Sequence, residues 1–243
     1  MNNKSVLITG GAHRIGAAIC HTLHNSGFTV YMHYGQSHDA AKKLQDQLNT
    51  IRPDSCFIFS ADLADPAATK NISDWLLSHT RQLSLLVNNA SCFDATPWEQ
   101  ATAQQWSNLF SINAQSPFFL SQSLLSALKK GKGQVINLID IHVERGLHNH
   151  PIYCASKAAL KSLTLSLAKD MKGDIRCNGI SPGAILWPDH DVDIQGQQEI
   201  LQKIPMGHLG AVDNITQTVM YLVNNDYVNG QIINVDGGRT LHS

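Results

Sequence analysis

The fold is decided by the stretch Ser5–Gly16, which reads SVLITGGAHRIG. Its first four residues predict a short buried strand, and an amphipathic helix is predicted to begin at about Arg14. The glycine-rich turn between them lets backbone N–H groups approach a phosphate, at the positive end of the helix dipole. The stretch therefore predicts a dinucleotide site that includes Gly10, His13, Arg14, Ile15 and Gly16.

Outward from this stretch, short apolar segments alternate with longer amphipathic ones to the end of the chain. The alternation predicts one domain over residues 1–243, a Rossmann-type α/β fold with a doubly wound, parallel seven-stranded sheet and helices on both faces. Strands are predicted at Ser5–Ile8, Phe28–Tyr34, Cys56–Ser60, Leu83–Asn88, Gly133–Ile139, Ile175–Ile180 and Gln231–Val235. Helices are predicted at Arg14–Asn25, His38–Ile51, Pro66–His79, across Trp98–Leu128, at Ile152–Met171 and at Val212–Asn224.

Composition narrows the possible functions. A formal net charge of −1 over 243 residues gives no basic field for nucleic acid or for an anionic membrane. Twelve histidines occur without HExxH or a comparable ligand spacing, so no metal site is predicted. The first apolar segment is too short for a signal peptide, and we expect a soluble, cytoplasmic protein. The cysteines are predicted to be small buried residues in a reducing compartment, and they are Cys20, Cys56, Cys92, Cys154 and Cys177.

The end of the second strand bears on the choice of cofactor. Folds that prefer NAD usually carry an acid there, which binds the ribose hydroxyls. Here the segment Met32–Ser37 reads MHYGQS and has no carboxylate before Asp39. Because an acid would repel a 2′-phosphate, whereas His33, Gln36, Ser37 and His13 are able to donate to one, the sequence favours NADPH.

A tyrosine and a lysine at the start of a later helix carry the chemistry. Tyr153 and Lys157 lie four residues apart, so they share one face of that helix. The ammonium group of Lys157 is expected to lower the pKa of the phenol and to let Tyr153 exchange a proton near neutral pH. The pair predicts an oxidoreductase that transfers hydride from a nicotinamide cofactor.

With these residues in place, the chain resembles the short-chain dehydrogenase/reductase family over essentially its full length. The matching motifs are, in order, Thr9–Gly16, Asp62-Leu63, Asn88-Asn89-Ala90, Asn113, Tyr153 with Lys157, Pro182-Gly183, and Asp236-Gly237-Gly238. The resemblance implies that Asp62 and Leu63 bind the adenine end, and that Asn89 and Ala90 pass beside the cofactor, as do Pro182 and Gly183. It also implies that Asn113 supports a proton-relay water, that Lys157 bonds the nicotinamide ribose, and that the protein is a homotetramer or a homodimer.

One position departs from the usual family pattern. Thirteen residues before the tyrosine, where typical members carry a serine that binds the substrate carbonyl, this chain has Asp140. A carboxylate accepts hydrogen bonds only and would repel the alkoxide that forms in ketone reduction. A nitrogen heterocycle with N–H donors suits Asp140 better, although an inactive family member, or an aspartate turned away to cap the next loop, is also consistent with the sequence.

Several segments resemble the pteridine reductase branch of the family. They are Arg14 in the glycine loop, His33-Tyr34-Gly35-Gln36-Ser37, Asn89–Phe93, and Asp140 with Tyr153. This resemblance implies that Phe93 and the nicotinamide enclose a pterin ring, and that Arg14 reaches both cofactor phosphate and pterin oxygen. It also implies that Ser91 and Ser111 help to hold phosphate and polar groups of the substrate. Val143-Glu144-Arg145-Gly146 and Gly238-Arg239 resemble bacterial dihydromonapterin and dihydrofolate reductases, whereas Gln36 stands where related enzymes tend to have arginine.

The sequence thus predicts an NADPH-dependent reductase of a pterin or folate, with a ketone or 3-oxoacyl reductase as the nearest alternative. A non-catalytic NADPH-binding regulatory protein is the third. Substrate choice is predicted to lie in the loop Ala184–Gln198, where Trp187 is a candidate substrate-binding residue and where no helix is predicted. His148 and His150 are predicted as surface residues rather than as pocket residues.

Overall fold

Seven parallel strands form one sheet, in the order β3-β2-β1-β4-β5-β6-β7. The computed structural model describes residues 4–187 and 194–241. The strands are β1 Ser5–Ile8, β2 Thr29–Tyr34, β3 Cys56–Ser60, β4 Leu85–Asn88, β5 Gln134–Leu138, β6 Arg176–Pro182 and β7 Ile232–Val235. Neighbouring strands are in parallel register, with Val6 opposite Val30 on one side and opposite Leu85 on the other. The sheet confirms the predicted Rossmann-type α/β fold.

Helices cover both faces of this sheet. They are α1 Arg14–Asn25, α2 His38–Ile51, α3 Ala68–His79, α4 Ala103–Phe110, α5 Ser116–Ser123, α6 Leu125–Lys130, α7 Pro151–Asp170, α8 Ile194–Gln202 and α9 Val212–Asn224. Short 3₁₀ turns lie at Ile141–Val143 and Arg239–Leu241.

Alternate residues of the strands supply two cores. Val6 and Ile8 of β1 pack on one face with Ile19 and Leu23 of α1, whereas Leu7 packs on the other face, in the core that includes α3 and α5. Central strands buried on both faces are expected to be almost entirely apolar, as β1 and β4 are.

The long helical stretch predicted across Trp98–Leu128 is wrong as a single helix. Helix α4 begins only at Ala103, where Thr102 and Gln105 form a capping box. A π-helical turn at Ser111–Gln115 follows, and a further interruption at Leu124 separates α5 from α6. Apolar periodicity does not report such changes of helical pitch, because the buried face continues across them.

The segment predicted to lack a helix is also corrected, because α8 begins inside it at Ile194. Pro188, Asp189, Asp191 and Asp193 of the same segment lie outside the described residues. Among the cysteines, all of which are free, Cys92 differs from the prediction: it is partly exposed, and its thiol donates to Asp94 Oδ2 at 3.1 Å.

The order of the strands places the functional site. Strand β1 has β2 on one side and β4 on the other, so the chain reverses direction across the sheet at this point. In open α/β sheets, ligands bind at the carboxyl ends of the strands beside such a reversal. The glycine-rich turn leaves β1 there, and Asp140 follows β5 at the same edge.

Candidate active site

A cleft of about 820 Å³ opens at the carboxyl edge of the sheet. It extends from Gln36 and Asp62 at one end to Asp140 and Tyr153 at the other, and a smaller branch of about 240 Å³ contains Lys157, Pro182 and Gly183. The structure thus brings together most of the predicted site residues: the cleft is lined by Gly10, His13, Arg14, Ile15, Gly16, His33, Gln36, Asp62, Leu63, Asn89, Ala90, Ser91, Phe93, Asp140 and Tyr153.

The glycine-rich turn is too closely packed for side chains at two positions. Gly10 has φ +65°, and a Cβ there would lie 2.9 Å from Ala90 Cα. A Cβ on Gly16 would lie 2.1 Å from the Gly10 carbonyl oxygen. The turn therefore offers bare backbone at the start of α1, which fits the phosphates of a dinucleotide.

Arg14 occupies an unusual backbone position in this turn. Its φ of +50° lies in the left-handed region that favours glycine, and a residue with a Cβ is disfavoured there by roughly 1–2 kcal/mol. Its guanidinium group lies in the cleft and donates to the Trp187 carbonyl at 3.4 Å. This conformation holds Arg14 beside the start of α1, at the end of the helix where the phosphates of a dinucleotide would lie.

His33 has a different role from the one predicted. Its Nε2 donates to the Ala61 carbonyl at 3.0 Å, and its Nδ1 accepts from Gly10 N–H at 3.3 Å. Burial lowers its pKa, so the ring stays neutral with both nitrogens engaged. It cannot also donate to a 2′-phosphate, and instead it fixes the glycine-rich turn against the end of β3.

Three of the predicted cofactor-binding residues lie outside the lining of the cleft and of its branch. Tyr34 is a core residue whose hydroxyl is bonded to His38 Nδ1 at 2.7 Å. Ser37 lies at the start of α2, and the Ser111 hydroxyl contacts Gln115 Oε1 at 3.4 Å, in the π-helical turn. Neighbouring Ile112, not Ser111, lines the cleft.

The catalytic end is organised around Asp140. The Tyr153 hydroxyl donates to Asp140 Oδ2 at 2.7 Å, and Oδ1 accepts from the backbone N–H of His142 at 2.8 Å and from its Nδ1 at 2.6 Å. Asp140 is therefore turned toward Tyr153 while it also caps the 3₁₀ turn that follows it. The alternative in which Asp140 turns away from Tyr153 to cap the next loop is therefore wrong, because the carboxylate makes both contacts.

The electrostatics differ from the expectation for the tyrosine. Burial raises the pKa of Asp140, but the hydrogen bonds and charge of His142 outweigh it, so the net pKa is lowered and the group is a carboxylate. Burial and this neighbouring carboxylate raise the pKa of Tyr153 well above its ordinary value. The net shift of the Tyr153 pKa is therefore upward, opposite to the direction that the sequence analysis expects, and the effect of Lys157 on the phenol stays a prediction.

Lys157 is nearly inaccessible, with 2% of the residue exposed. Its Nζ donates to the Leu138 carbonyl at 2.8 Å, which places the ammonium group under the end of β5. Burial lowers its pKa from 10.5 to about 8, and the charge of Asp140 partly opposes this effect. Lys157 also lines the smaller branch of the cleft.

The side chain of Asn113 holds the loop after β4. Its Oδ1 accepts from the Ser91 hydroxyl at 3.1 Å and from Cys92 N–H at 2.9 Å. Its Nδ2 donates to the Cys92 carbonyl and to the Ser156 hydroxyl, each at 3.0 Å. With its amide engaged in this way, Asn113 positions the loop and α7, and any bond to a relay water would have to come from its backbone. That role stays a prediction.

Aromatic rings form the outer wall of the site. Phe93 is 55% exposed, stacks on His150 at 4.4 Å between centroids, and meets the edge of Tyr153 at 4.7 Å. His148 is exposed, as predicted, whereas His150 forms part of this aromatic wall. Trp187 meets Arg14 through its backbone carbonyl, and it is Leu186 that lines both the cleft and its branch.

Comparison with known proteins agrees with the geometry. The family model described as enoyl-(acyl carrier protein) reductase matches residues 10–240. The chain belongs to the short-chain dehydrogenase/reductase family. It is 29% identical to pteridine reductase 1 of Leishmania tarentolae over 97% of this chain and 96% of that protein. It is 32% identical to 2-dehydro-3-deoxy-D-gluconate 5-dehydrogenase of Bacillus subtilis (strain 168), over 98% and 95%, and 28% identical to dihydromonapterin reductase of Enterobacter sp. (strain 638), over 98% of each.

Membership of the short-chain dehydrogenase/reductase family makes this protein an oxidoreductase with a nicotinamide cofactor. Within residues 4–187 and 194–241, no group of three or more histidine, cysteine, aspartate or glutamate side chains could hold a metal ion. In the same ranges, no helix is long and apolar enough to cross a membrane.

Leu186 and His142 are among the residues of the site that the sequence analysis missed. Leu186 lies in the loop that was predicted to decide substrate choice, but Trp187 was chosen there as the candidate residue. The contact of Asp140 with the backbone N–H of His142 could have been predicted, because an aspartate often accepts from the backbone N–H two residues later in an Asx turn. Its contact through the ring, however, depends on the 3₁₀ turn.

Proposed function

We propose that the protein is an NADPH-dependent reductase that transfers hydride to a C=N bond of a dihydropterin or dihydrofolate. The observation that carries this proposal is the 2.7 Å hydrogen bond from the Tyr153 hydroxyl to Asp140 Oδ2, at the position where a hydroxyl would serve ketone chemistry. Two of the relatives compared above are named for pterin substrates, and the third is named for a sugar-acid dehydrogenase.

The cleft fits a nicotinamide dinucleotide. Gly10 and Gly16 provide the bare backbone for its phosphates, with Arg14 beside them, and Asp62 with Leu63 lies at the far end. Lys157, in the branch of the cleft, is the residue that would hold the nicotinamide ribose. When bound, NADPH supplies the hydride. With His33 neutral and occupied, preference for a 2′-phosphate depends on His13, Arg14 and Gln36.

Asp140 and Tyr153 provide opposite hydrogen-bonding abilities side by side. The carboxylate accepts from the N–H and amino groups of a heterocycle, and the phenol donates a proton to a ring nitrogen. Because the pKa of Tyr153 is raised, the phenol keeps its proton until a strongly basic acceptor forms. The nitrogen of a C=N bond must gain a proton when its carbon accepts hydride, and the Asp140 carboxylate binds ring N–H groups but repels the alkoxide of ketone reduction, so this pair favours C=N over C=O reduction.

The walls of the cleft suit a flat ligand. The exposed ring of Phe93 offers a stacking surface at the mouth, next to the edge of Tyr153. Arg14 and Ser91 line both parts of the cleft, so they are placed to contact cofactor and substrate together. Assembly as a homodimer or homotetramer and a cytoplasmic location stay predictions.

The test is a substrate panel that is monitored through NADPH absorbance. Dihydrobiopterin, dihydromonapterin and dihydrofolate are compared with simple ketones and a 3-oxoacyl thioester, each with NADPH and with NADH. We expect turnover of at least one dihydropterin or dihydrofolate, with NADPH preferred. Asp140→Ser should abolish that turnover and leave NADPH binding, measured by fluorescence, within about threefold of wild type, since Asp140 is not part of the phosphate cradle.

Ketone reduction is the second candidate, and it is favoured by the similarity to the dehydrogenase from B. subtilis. Turnover of ketones but not of pterins, or gain of ketone activity without loss of pterin activity in Asp140→Ser, would contradict the pterin proposal. Binding of NADPH with no turnover of any substrate would favour the regulatory alternative.

A further inference from the structure

The 3₁₀ turn Ile141–Val143 brings a titratable side chain to the back of Asp140. His142 lies two residues after the aspartate, and the turn folds its imidazole onto the carboxylate. Side-chain exposure is 16% for His142 and 21% for Asp140, so both members of the pair are largely shielded from solvent.

Three groups are joined in a line by short hydrogen bonds. His142 Nδ1 lies 2.6 Å from Asp140 Oδ1, and Asp140 Oδ2 lies 2.7 Å from the Tyr153 hydroxyl. The His142 backbone N–H also donates to Oδ1 at 2.8 Å. Both bonds from His142 therefore use the same oxygen, which leaves Oδ2 for Tyr153 and the cleft.

The imidazole keeps this bond in both of its charge states. Neutral His142 with its proton on Nδ1 donates to Asp140, and so does the imidazolium ion. What changes is the charge beside the tyrosine: aspartate with neutral histidine carries −1, whereas aspartate with imidazolium carries zero. A less negative neighbour makes it easier for Tyr153 to release its proton.

Other charged groups surround the turn. Glu144 at its end is paired with Lys161 of α7, and Lys157 of the same helix lies behind Asp140. Arg145 donates to the Arg239 carbonyl. Burial and Arg145 lower the pKa of Arg239, and the charges of Asp140 and Asp236 oppose that effect. Burial lowers the pKa of Lys157 to about 8, so it also titrates, but its Nζ is bonded to the Leu138 carbonyl, whereas His142 is bonded directly to Asp140.

We propose that His142 is a positioning residue that aims Asp140 Oδ2 at Tyr153 and makes proton delivery by Tyr153 dependent on the charge of the imidazole. The inference rests on the proposed function, because it assigns a regulator to the same Asp140–Tyr153 pair. It predicts that the reductase is fastest with a charged imidazole beside Asp140 and slower with a neutral one.

Two substitutions separate the two parts of the role. In His142→Asn the amide nitrogen replaces the Nδ1 donor but does not titrate, and in His142→Leu both donor and charge are lost. With dihydrobiopterin and NADPH, we expect His142→Leu to lower kcat about tenfold or more, the effect of losing a charge-assisted bond, with KM for NADPH within about twofold. His142→Asn should recover most of kcat. In the profile of kcat against pH, it should lack the fall at alkaline pH that His142 causes in the wild type. His208→Asn, the same change at an exposed histidine, is the control.

A second readout does not need turnover. The carboxyl carbon of ¹³C-labelled Asp140, assigned with Asp140→Asn, reports its ionisation by NMR. Since contacts from His142 lower the pKa of Asp140, that pKa should rise in His142→Leu and remain lowered in His142→Asn. Thermal melting confirms that each variant is folded.

The outcomes distinguish the two proposals. If wild-type protein reduces no pterin or folate, the proposed function fails, whereas the NMR titration still tests the contact between His142 and Asp140. If wild-type protein reduces pterin, and both His142 variants match it in kcat, pH profile and Asp140 titration, the role of His142 is overturned and the proposed function stands.

Discussion

Replacing Lys157 by methionine should remove a pH-dependent cost that the fold carries for function. The lysine is buried, and its pKa falls from 10.5 to about 8. At about 1.4 kcal/mol per pH unit, keeping the ammonium charged at pH 7 costs the folded state roughly 3 kcal/mol relative to the unfolded chain. Methionine has a similar length and no charge, so Lys157→Met lacks this cost, although it also loses the 2.8 Å bond to the Leu138 carbonyl.

The sign follows from proton binding. Between pH 8 and 10.5 the unfolded chain still holds the lysine proton while the folded protein has released it, so wild-type stability rises with pH through this window. Lys157→Met has no such gain. We therefore expect the free energy of unfolding of the wild type to increase by roughly 3 kcal/mol relative to the variant between pH 7 and the top of the window. Shifts of other groups are common to both proteins and cancel.

Urea unfolding followed by circular dichroism at several pH values from 7 to 10, without nucleotide, measures this difference. Lys169→Met, at an exposed position near the end of the same helix, is the matched control and should follow the wild-type pH dependence. Activity of Lys157→Met should fall about 100-fold or more, because the ribose contact and the charge are gone. Parallel pH dependence of stability in wild type and Lys157→Met would refute the reasoning.

Three further predictions concern residues that position the cleft. Gly16→Ala puts a methyl group 2.1 Å from the Gly10 carbonyl oxygen. NADPH affinity, measured by fluorescence titration, should therefore fall about tenfold or more, and the melting temperature should drop. Gly35→Ala, where the methyl group meets open space, should keep its melting temperature. Because burial lowers the pKa of His33, its neutral form stabilises the protein fully above its unfolded pKa of about 6.5, and stability should weaken as pH falls below that value. His33→Asn, which does not titrate, should show a flatter pH dependence of the free energy of unfolding between about pH 5.5 and 7.5. Asn113→Ala removes four hydrogen bonds, so urea unfolding should show a free energy of unfolding lower by about 2 kcal/mol or more. An unchanged urea midpoint would mean that the loop after β4 does not depend on this side chain.

The sequence by itself determined the parts of the protein that depend on local patterns. Apolar runs of strand length alternating with amphipathic ones specify a parallel α/β sheet, because each pattern dictates what its own segment must bury. The turn Thr9–Gly16 needs only its glycines and its place between strand and helix. The spacing of Tyr153 and Lys157 fixes their shared helix face without reference to the rest of the chain.

Only the tertiary structure decided which distant groups meet. A histidine at position 33 is able to serve either as the predicted phosphate donor or as the observed anchor of the turn. The positions of Gly10 and Ala61 beside it select the second role. Within the π-helical turn Ser111–Gln115, it is Ile112 and not the predicted Ser111 that lines the cleft. Helix α8 starts within a segment without a clear apolar period.

Asp140 shows the division most clearly. Its type and its place thirteen residues before Tyr153 suggested a partner for the phenol, by resemblance to known enzymes. The fold determines the rest: the end of β5 and the start of α7 set the 2.7 Å contact, and a single 3₁₀ turn adds His142 behind it. Charges that act on one another through space depend on distance and burial, which a sequence pattern does not contain and which the packing of β5 against α7 provides.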